Sequence, residues 1–324
     1  MNLQVIYKRG QPAHQLKNKI YEFDSGDDIF ENIRINKKNK LFVVNSEENC
    51  VIFRILEKDD QITFKEIHRF RTDFSLEDAC QNDGKFNNTL KYLGCAGEEG
   101  VLRLYNVNYQ KDSDNIKIEK YHEFNSHTKS INSLDFHVEQ DLVMTASDDG
   151  TCRIFNIPKK MEIKKLQLTD QATFENYKFH SAYFSPDEKT IFTIQNPMRG
   201  ASYMSVWTIE KEDIQHIQNT KLHKHPVTAS CISKEGLFLG IGTGDGAAKT
   251  INTRYYDIES SKHPHDMVVK GIDFTGDSRF LITGTPEFDI DFLANVRPSG
   301  NFSTFVKIVV IGVMISWLID YLYN

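Results

Sequence analysis

The sequence predicts an all-β fold assembled from repeated units of short strands. The best-defined unit covers residues 126–157 and contains two tight turns. Its apolar-alternating strands are expected at residues 131–136, 142–146 and 152–157. Gly150 lies in the second turn, where the backbone needs a positive φ that a side chain disfavours. Residues 94–107 align with residues 144–157 without a gap, glycine on glycine and arginine on arginine, so the unit is a repeat.

The repeat resembles the WD repeat in two further features. Two aromatic-Asn pairs stand where that family usually has Trp-Asp, namely Tyr105-Asn106 and Phe155-Asn156. Three histidines each precede an apolar-alternating strand, as the histidine of the family's Gly-His pair does, namely His127, His225 and His265. We expect each histidine to be held inside its own repeat, and a metal or catalytic role is the alternative.

The resemblance implies a β-propeller, and the length sets the number of blades. Blades of about 40 to 45 residues would use nearly all of the 324 residues as one domain, which gives about seven blades. We therefore predict a seven-bladed WD-repeat β-propeller over residues 1–294. Six units are recognisable in order, and strands at residues 3–7 and 20–23 supply a first blade that the sequence leaves incomplete.

Two stretches depart from the repeat pattern. Residues 81–88, QNDGKFNN, are rich in Asn and Gly and predict a turn-rich loop. Residues 196–201, NPMRGA, occupy the place of a tight Asp-Gly turn and predict a loop that interrupts the unit.

Composition and motifs favour a protein that binds other proteins. The net charge of -6 and the pI near 6.0 argue against nucleic acid as the main ligand. The stretch GIGTGDGAAKT at residues 240–250 fails as a phosphate-binding loop, because two alanines separate Lys249 from the last glycine. The sequence shows no catalytic triad, metal motif or cofactor fingerprint. We expect no enzymatic activity, no cofactor, no metal and no small-molecule substrate.

The C-terminal region is different in kind. Residues 308–319 carry no charge, and residues 305–323 are long enough for a short membrane helix of a thin bilayer such as that of the endoplasmic reticulum. Trp317, Tyr321 and Tyr323 form an aromatic belt at one end. We predict a single transmembrane helix at 305–323, a linker at 295–304 and a propeller that faces the cytosol. A last core strand and helix of a soluble propeller is the alternative.

A propeller with one C-terminal membrane helix is similar to the endoplasmic-reticulum guanine-nucleotide exchange factors of the Sar GTPase. Three stretches carry this resemblance, at residues 71–75, 191–197 and 236–243. It implies a single-pass protein of the endoplasmic-reticulum membrane that binds a Sar-type small GTPase and promotes GDP release. COPII coat assembly and transport from the endoplasmic reticulum to the Golgi would follow.

The family's exchange element is a Gly-rich loop in the first blade that binds a potassium ion. The corresponding residues here would be Leu16, Asn18 and Lys19, with Gly10 as the remaining glycine. The glycine run itself is missing, which puts the potassium ion and the exchange activity in doubt. A solvated basic hairpin loop is the other interpretation of these residues, and a membrane-tethered scaffold without exchange activity is the alternative function.

Overall fold

The computed structural model describes residues 2–6, 20–24, 30–36, 39–46, 49–58, 61–71, 81–110, 115–168, 177–210, 213–275, 278–285, 289–294 and 308–309. The strands in these residues form one two-stranded sheet and six four-stranded sheets. Repeated four-stranded antiparallel sheets fit a WD β-propeller.

The strands follow the chain in order, so each sheet is a meander. The two-stranded sheet contains β1 (Asn2–Ile6) and β2 (Ile20–Asp24). The first four-stranded sheet contains β3 (Phe30–Asn36), β4 (Leu41–Ser46), β5 (Asn49–Lys58) and β6 (Gln61–Arg71). The second contains β7 (Gln81–Phe86), β8 (Tyr92–Gly97), β9 (Leu102–Gln110) and β10 (Asn115–Phe124). The third contains β11 (Ile131–Phe136), β12 (Leu142–Ser147), β13 (Cys152–Asn156) and β14 (Met161–Leu166).

The remaining three sheets repeat this arrangement. The fourth contains β15 (Tyr177–Phe184), β16 (Thr190–Pro197), β17 (Ser202–Glu210) and β18 (Asp213–His223). The fifth contains β19 (Val227–Ile232), β20 (Phe238–Thr243), β21 (Ala248–Asn252) and β22 (Asp257–Lys262). The sixth contains β23 (Gly271–Phe274), β24 (Phe280–Gly284), β25 (Asp289–Ala294) and β26 (Ile308–Val309).

The chain divides into two compact units. The 27–221 unit comprises Asp27–Leu56 and Phe64–Lys221, and it holds the second and third sheets and most of the fourth. The 222–324 unit comprises Leu222–Asn324 with Met1–Gly26 and Glu57–Thr63, and it holds the fifth and sixth sheets.

In the 27–221 unit, consecutive sheets pack face to face through apolar side chains. Leu102 and Leu104 of the second sheet share a buried cluster with Val143 and Phe155 of the third. Each of these side chains is 0% exposed, and burying one contributes about 1.5–3 kcal/mol. The middle strands are buried on both faces, which explains why their sequences are nearly continuous apolar runs.

A buried carboxylate, Asp135 on β11, connects three sheets of the same unit. Its Oδ1 accepts a hydrogen bond from Lys85 Nζ of the second sheet at 2.5 Å, and its Oδ2 accepts one from the backbone N–H of Phe184 in the fourth at 2.9 Å. The side chain of Asp135 is 8% exposed, so both bonds satisfy a charge that water does not reach. The neighbouring pair of Lys91 and Asp141 is more exposed and joins only the second and third sheets.

In the 222–324 unit, glycine lets the fifth and sixth sheets approach closely. A Cβ on Gly242 would lie 2.4 Å from Val269 Cγ1, and a Cβ on Gly240 would lie 2.6 Å from Leu281 Cδ1. Neither position has room for a side chain, since carbon atoms in contact normally stay more than 3 Å apart. The glycine run at 240–246 therefore serves sheet packing and turn geometry.

The three strands predicted within residues 126–157 are confirmed, and each agrees to within one residue. A fourth strand, β14, was missed because its exposed positions include Met161 and Ile163, so the apolar and polar residues do not separate cleanly by face. Each of the six sheets has such an outer strand.

The loop predicted at residues 81–88 is wrong for its first six residues. They form β7, which pairs antiparallel with β8 from Gln81 opposite Gly97 to Phe86 opposite Leu93. Asn, Asp and Gly have low strand propensity, but the whole propensity scale spans only about 1 kcal/mol. Hydrogen bonding to a buried neighbouring strand outweighs a difference of that size.

The predicted linker at 295–304 lies outside the described residues, as does most of the predicted membrane helix at 305–323. Two residues of that segment form β26, which pairs antiparallel with β25. Within the described ranges, no helical segment has the length and apolar character that crossing a bilayer requires.

Candidate protein-binding edge

Four hairpins join the second and third strands of their sheets through turns of equal length. Each turn has four residues, and these turns lie at residues 98–101, 148–151, 198–201 and 244–247. The third residue is always a glycine with positive φ, namely Gly100 (74°), Gly150 (80°), Gly200 (111°) and Gly246 (88°). The prediction that residues 196–201 interrupt a tight turn is therefore corrected, because the turn itself is retained.

The glycines of three of these turns, Gly100, Gly150 and Gly246, lie against the chain at the entry to the following sheet, whereas Gly200 has only Pro197 of its own hairpin nearby. A Cβ on Gly100 would lie 2.7 Å from the carbonyl oxygen of Lys129, and one on Gly150 would lie 3.3 Å from that of Tyr177. On Gly246 it would lie only 2.0 Å from the carbonyl oxygen of His265. These contacts join consecutive sheets at the end where the turns are.

A hydrogen-bonded network fixes the turn of the third sheet. His127 is 9% exposed, and its Nε2 lies 2.7 Å from Thr145 Oγ1 while its Nδ1 lies 2.9 Å from Asp149 Oδ2. The backbone N–H of Thr151 donates to Asp149 Oδ1 at 2.9 Å. Burial raises the pKa of Asp149, but hydrogen bonds from His127 and Thr151 and the charge of His127 outweigh it, so the pKa is well below its usual range.

The predicted placement of the three histidines is confirmed for two of them. His265 is buried, and its Nε2 lies 2.8 Å from Thr283 Oγ1 of the same sheet. His225 instead has a side chain that is 46% exposed and lies 3.6 Å from Asp245, whereas His223 contacts both oxygens of Asp245 at 3.0 Å. His223 precedes the first strand of its sheet by four residues, as His127 does, whereas His225 precedes that strand by two.

Hydrogen bonds and close contacts link the turns of the 27–221 unit to the residues at the entry to the following sheets. Asp148 accepts hydrogen bonds from Asn132 Nδ2 at 2.6 Å and from Lys178 Nζ of the fourth sheet. The hydroxyl of Tyr177 donates to the carbonyl oxygen of Ala201 at 3.0 Å. We call this group of residues the turn edge and define it as residues 98–101, 148–151 and 198–201 with residues 125–132 and 177–178.

The predicted exchange-loop residues, Gly10, Leu16, Asn18 and Lys19, lie outside the described residues. In the part of the chain that is described, no three His, Cys, Asp or Glu side chains are arranged to hold a metal ion. Sequence reasoning did not single out Met198 and Arg199, which lie exposed in the turn of the fourth sheet. The turn glycines Gly100, Gly150 and Gly200 are spaced 50 residues apart, and this spacing would have identified that turn in the sequence.

Comparison with known proteins supports the WD repeat. The family model described as "WD domain, G-beta repeat" matches residues 118–156, which cover β11 to β13 and the hydrogen-bonded His127. The chain therefore carries a WD40 repeat, and WD40 repeats suggest a protein-interaction scaffold.

The similar proteins are distant relatives. Pre-mRNA-processing factor 19 of Oryza sativa subsp. japonica is 23% identical over 181 residues, which are 56% of this chain and 32% of that protein. The U3 small nucleolar RNA-associated protein 15 homolog of Xenopus tropicalis is 22% identical over 209 residues, which are 55% of this chain and 39% of that protein. The chain thus spans about a third of the length of the curated relatives it matches.

Proposed function

We propose that this chain is a protein-binding WD-repeat scaffold and that the turn edge belongs to its binding surface. The observation that carries the proposal is the internal bonding of this edge. Buried histidine, threonine and carboxylate groups fix the turn at residues 148–151, so its exposed groups are presented in one arrangement. A surface that is already ordered loses little conformational entropy on binding.

Within this role, we propose that the partner is a Sar-type small GTPase and that the chain promotes its nucleotide exchange. The support is the resemblance at residues 71–75, 191–197 and 236–243 and the apolar segment at 305–323. In this proposal the protein is held in the endoplasmic-reticulum membrane with its sheets in the cytosol, where it promotes COPII coat assembly. No bond is made or broken by the chain, so it is not an enzyme.

Such a factor acts through a difference in affinity. It binds the nucleotide-free GTPase more tightly than the GDP-bound form, and by linkage the GTPase then holds GDP less tightly by the same factor. A tenfold preference corresponds to about 1.4 kcal/mol of coupling free energy.

A scaffold without exchange activity is the second candidate, and the relatives favour it. Their names place them in pre-mRNA processing and with U3 small nucleolar RNA. The net charge of -6 favours a role in contacting proteins of such an assembly over contacting the RNA itself.

The experiment that separates the two candidates compares affinities of the full chain for one Sar-type GTPase in two states. An exchange factor binds the nucleotide-free GTPase at least tenfold more tightly than the GDP-bound GTPase. The variant with Leu16, Asn18 and Lys19 changed to Ala loses this preference and keeps its thermal unfolding midpoint. Equal affinity for both states, or no binding to either, contradicts the exchange function.

A further inference from the structure

The hairpin of the fourth sheet extends further than its counterparts. The pairs Phe136–Val143 and Phe184–Ile191 are equivalent, because each is the last pair of the first two strands of its sheet and encloses six residues. From Val143 to the end of β12 there are five residues, 143–147, whereas from Ile191 to the end of β16 there are seven, 191–197. At about 3.3 Å per residue, the turn of the fourth sheet projects about 7 Å further.

The same five-residue length occurs in the other sheets that have this turn. In the second sheet the corresponding residues are 93–97, and in the fifth they are 239–243. The extension is therefore a local feature of the fourth sheet. We call its turn, Met198 to Ala201, the projecting tip.

The projecting tip has also lost the acidic residue that the other turns use internally. The second turn residue is Glu99, Asp149 or Asp245 elsewhere, and each is bound by a neighbouring side chain, Arg103 at 2.6 Å, His127 at 2.9 Å and His223 at 3.0 Å respectively. In the projecting tip this residue is the exposed Arg199, and no acid among the described residues pairs with it. The position no longer serves the sheet.

An apolar side chain stands beside this arginine in full contact with water. Met198 is 79% exposed, more than any other large apolar side chain in the described part of the chain. Methionine and arginine are both enriched in protein interfaces, where methionine fills apolar pockets and arginine pairs with carboxylates. The two residues together match an apolar cavity with an acidic rim.

The base of the hairpin is fixed, although its tip is exposed. The hydroxyl of Tyr177 donates to the carbonyl oxygen of Ala201 at 3.0 Å, and the rings of Tyr177 and Tyr203 meet edge to face with centroids 5.9 Å apart. Gly200 has a positive φ of 111°, so the turn keeps a glycine conformation as the other turns do. Because the turn is preordered, the backbone of the projecting tip would lose little conformational entropy on binding.

We propose that the projecting tip is a contact site for a folded protein partner whose surface offers an apolar cavity bordered by carboxylates. Met198 enters the cavity and Arg199 pairs with the carboxylates. The proposal rests on the proposed function, because the partner used to test it is the Sar-type GTPase. It adds a contact outside residues 10–19, on a part of the chain that the resemblance does not implicate in exchange.

The test measures the affinity of the full chain for the nucleotide-free Sar-type GTPase. Met198→Ala and Arg199→Glu are each expected to weaken binding about tenfold or more, as hot-spot residues do. Arg199→Lys is expected to lie between wild type and Arg199→Glu, because it keeps the charge and loses the planar fork. Arg199→Glu should also reduce the loss of affinity that added salt causes in wild type.

Matched controls lie on the outer strand β14 of the neighbouring sheet. Met161 is 50% exposed and Lys165 is exposed, so Met161→Ala makes the same truncation and Lys165→Glu the same reversal of charge away from the projecting tip. Both controls are expected to bind as wild type does, and all variants are expected to keep the wild-type unfolding midpoint.

Three results would overturn the proposal. If wild type binds the GTPase and Met198→Ala and Arg199→Glu bind equally well, the projecting tip is not a contact, although the proposed function stands. If wild type does not bind the GTPase, the proposed exchange function and the contact fail together. If wild type self-associates in sedimentation and Met198→Ala abolishes only that, the site is a contact between copies of this chain.

Discussion

Replacing Gly246 with alanine tests the contact between a turn and the segment that follows it. Gly246 has a φ of 88°, and an added Cβ would lie 2.0 Å from the carbonyl oxygen and 2.7 Å from the carbonyl carbon of His265. An L-residue in the left-handed region costs about 1–2 kcal/mol, and overpacking costs about 1–3 kcal/mol more. The clash is with backbone, so no rotamer change relieves it, and we expect a loss of about 2–5 kcal/mol.

Two other glycines provide graded controls for this substitution. Gly150→Ala keeps the unfavourable φ of 80°, but its Cβ would lie 3.3 Å from the nearest atom. We therefore expect only the backbone cost of the left-handed region, about 1–2 kcal/mol. Gly244→Ala meets nothing closer than 3.8 Å and should change stability by less than about 1 kcal/mol. Urea unfolding monitored by circular dichroism ranks the stabilities of the three variants. Equal stability of Gly246→Ala and Gly244→Ala would refute the contact.

Three further predictions concern polar groups. Asp135→Ala leaves a partly buried lysine and a buried N–H without their acceptor and should cost about 2–3 kcal/mol in urea unfolding, whereas Asp141→Ala, which removes a more exposed pair, should cost less than about 1 kcal/mol. The pKa of Asp149 is lowered in the folded chain, so its stabilising effect is present above the ordinary pKa of 3.8 and is lost as the pH falls below it. The stability difference between wild type and Asp149→Asn, measured from pH 7 to pH 3, should therefore shrink, and a constant difference would contradict this. Trp207→Phe removes the hydrogen bond from Nε1 to Thr193 Oγ1 at 2.9 Å and should lower the free energy of unfolding by about 1–3 kcal/mol. An unchanged urea midpoint would contradict this.

The repeat could be predicted from the sequence because its signals are local. Gly150 and the alternating strands around it lie within 32 consecutive residues, and the aligned segment around Gly100 repeats them. A positive φ at a tight turn and a period of two along a strand each depend on near neighbours. The structure agrees with these predictions to within a residue.

Features that depend on contacts between distant residues could not be predicted in the same way. β7 forms from a sequence of loop-like composition because its partner strand is buried, and His223 takes the position expected for His225, four residues before the following strand. The extra length of β16 appears only when equivalent strand pairs are aligned in space. The projecting tip depends on this extra length, so the departure of residues 196–201 from the repeat pattern did not by itself predict it.

The measurement that tests the proposed exchange function most directly is the rate of GDP release from a Sar-type GTPase in the presence of the full chain. Fluorescent GDP bound to the GTPase is chased with excess GTP, and the release rate is followed as the concentration of the chain increases. We expect a rate that rises with the concentration of the chain and saturates, and a smaller increase for Met198→Ala. A release rate that stays at its intrinsic value at every concentration would contradict the exchange function.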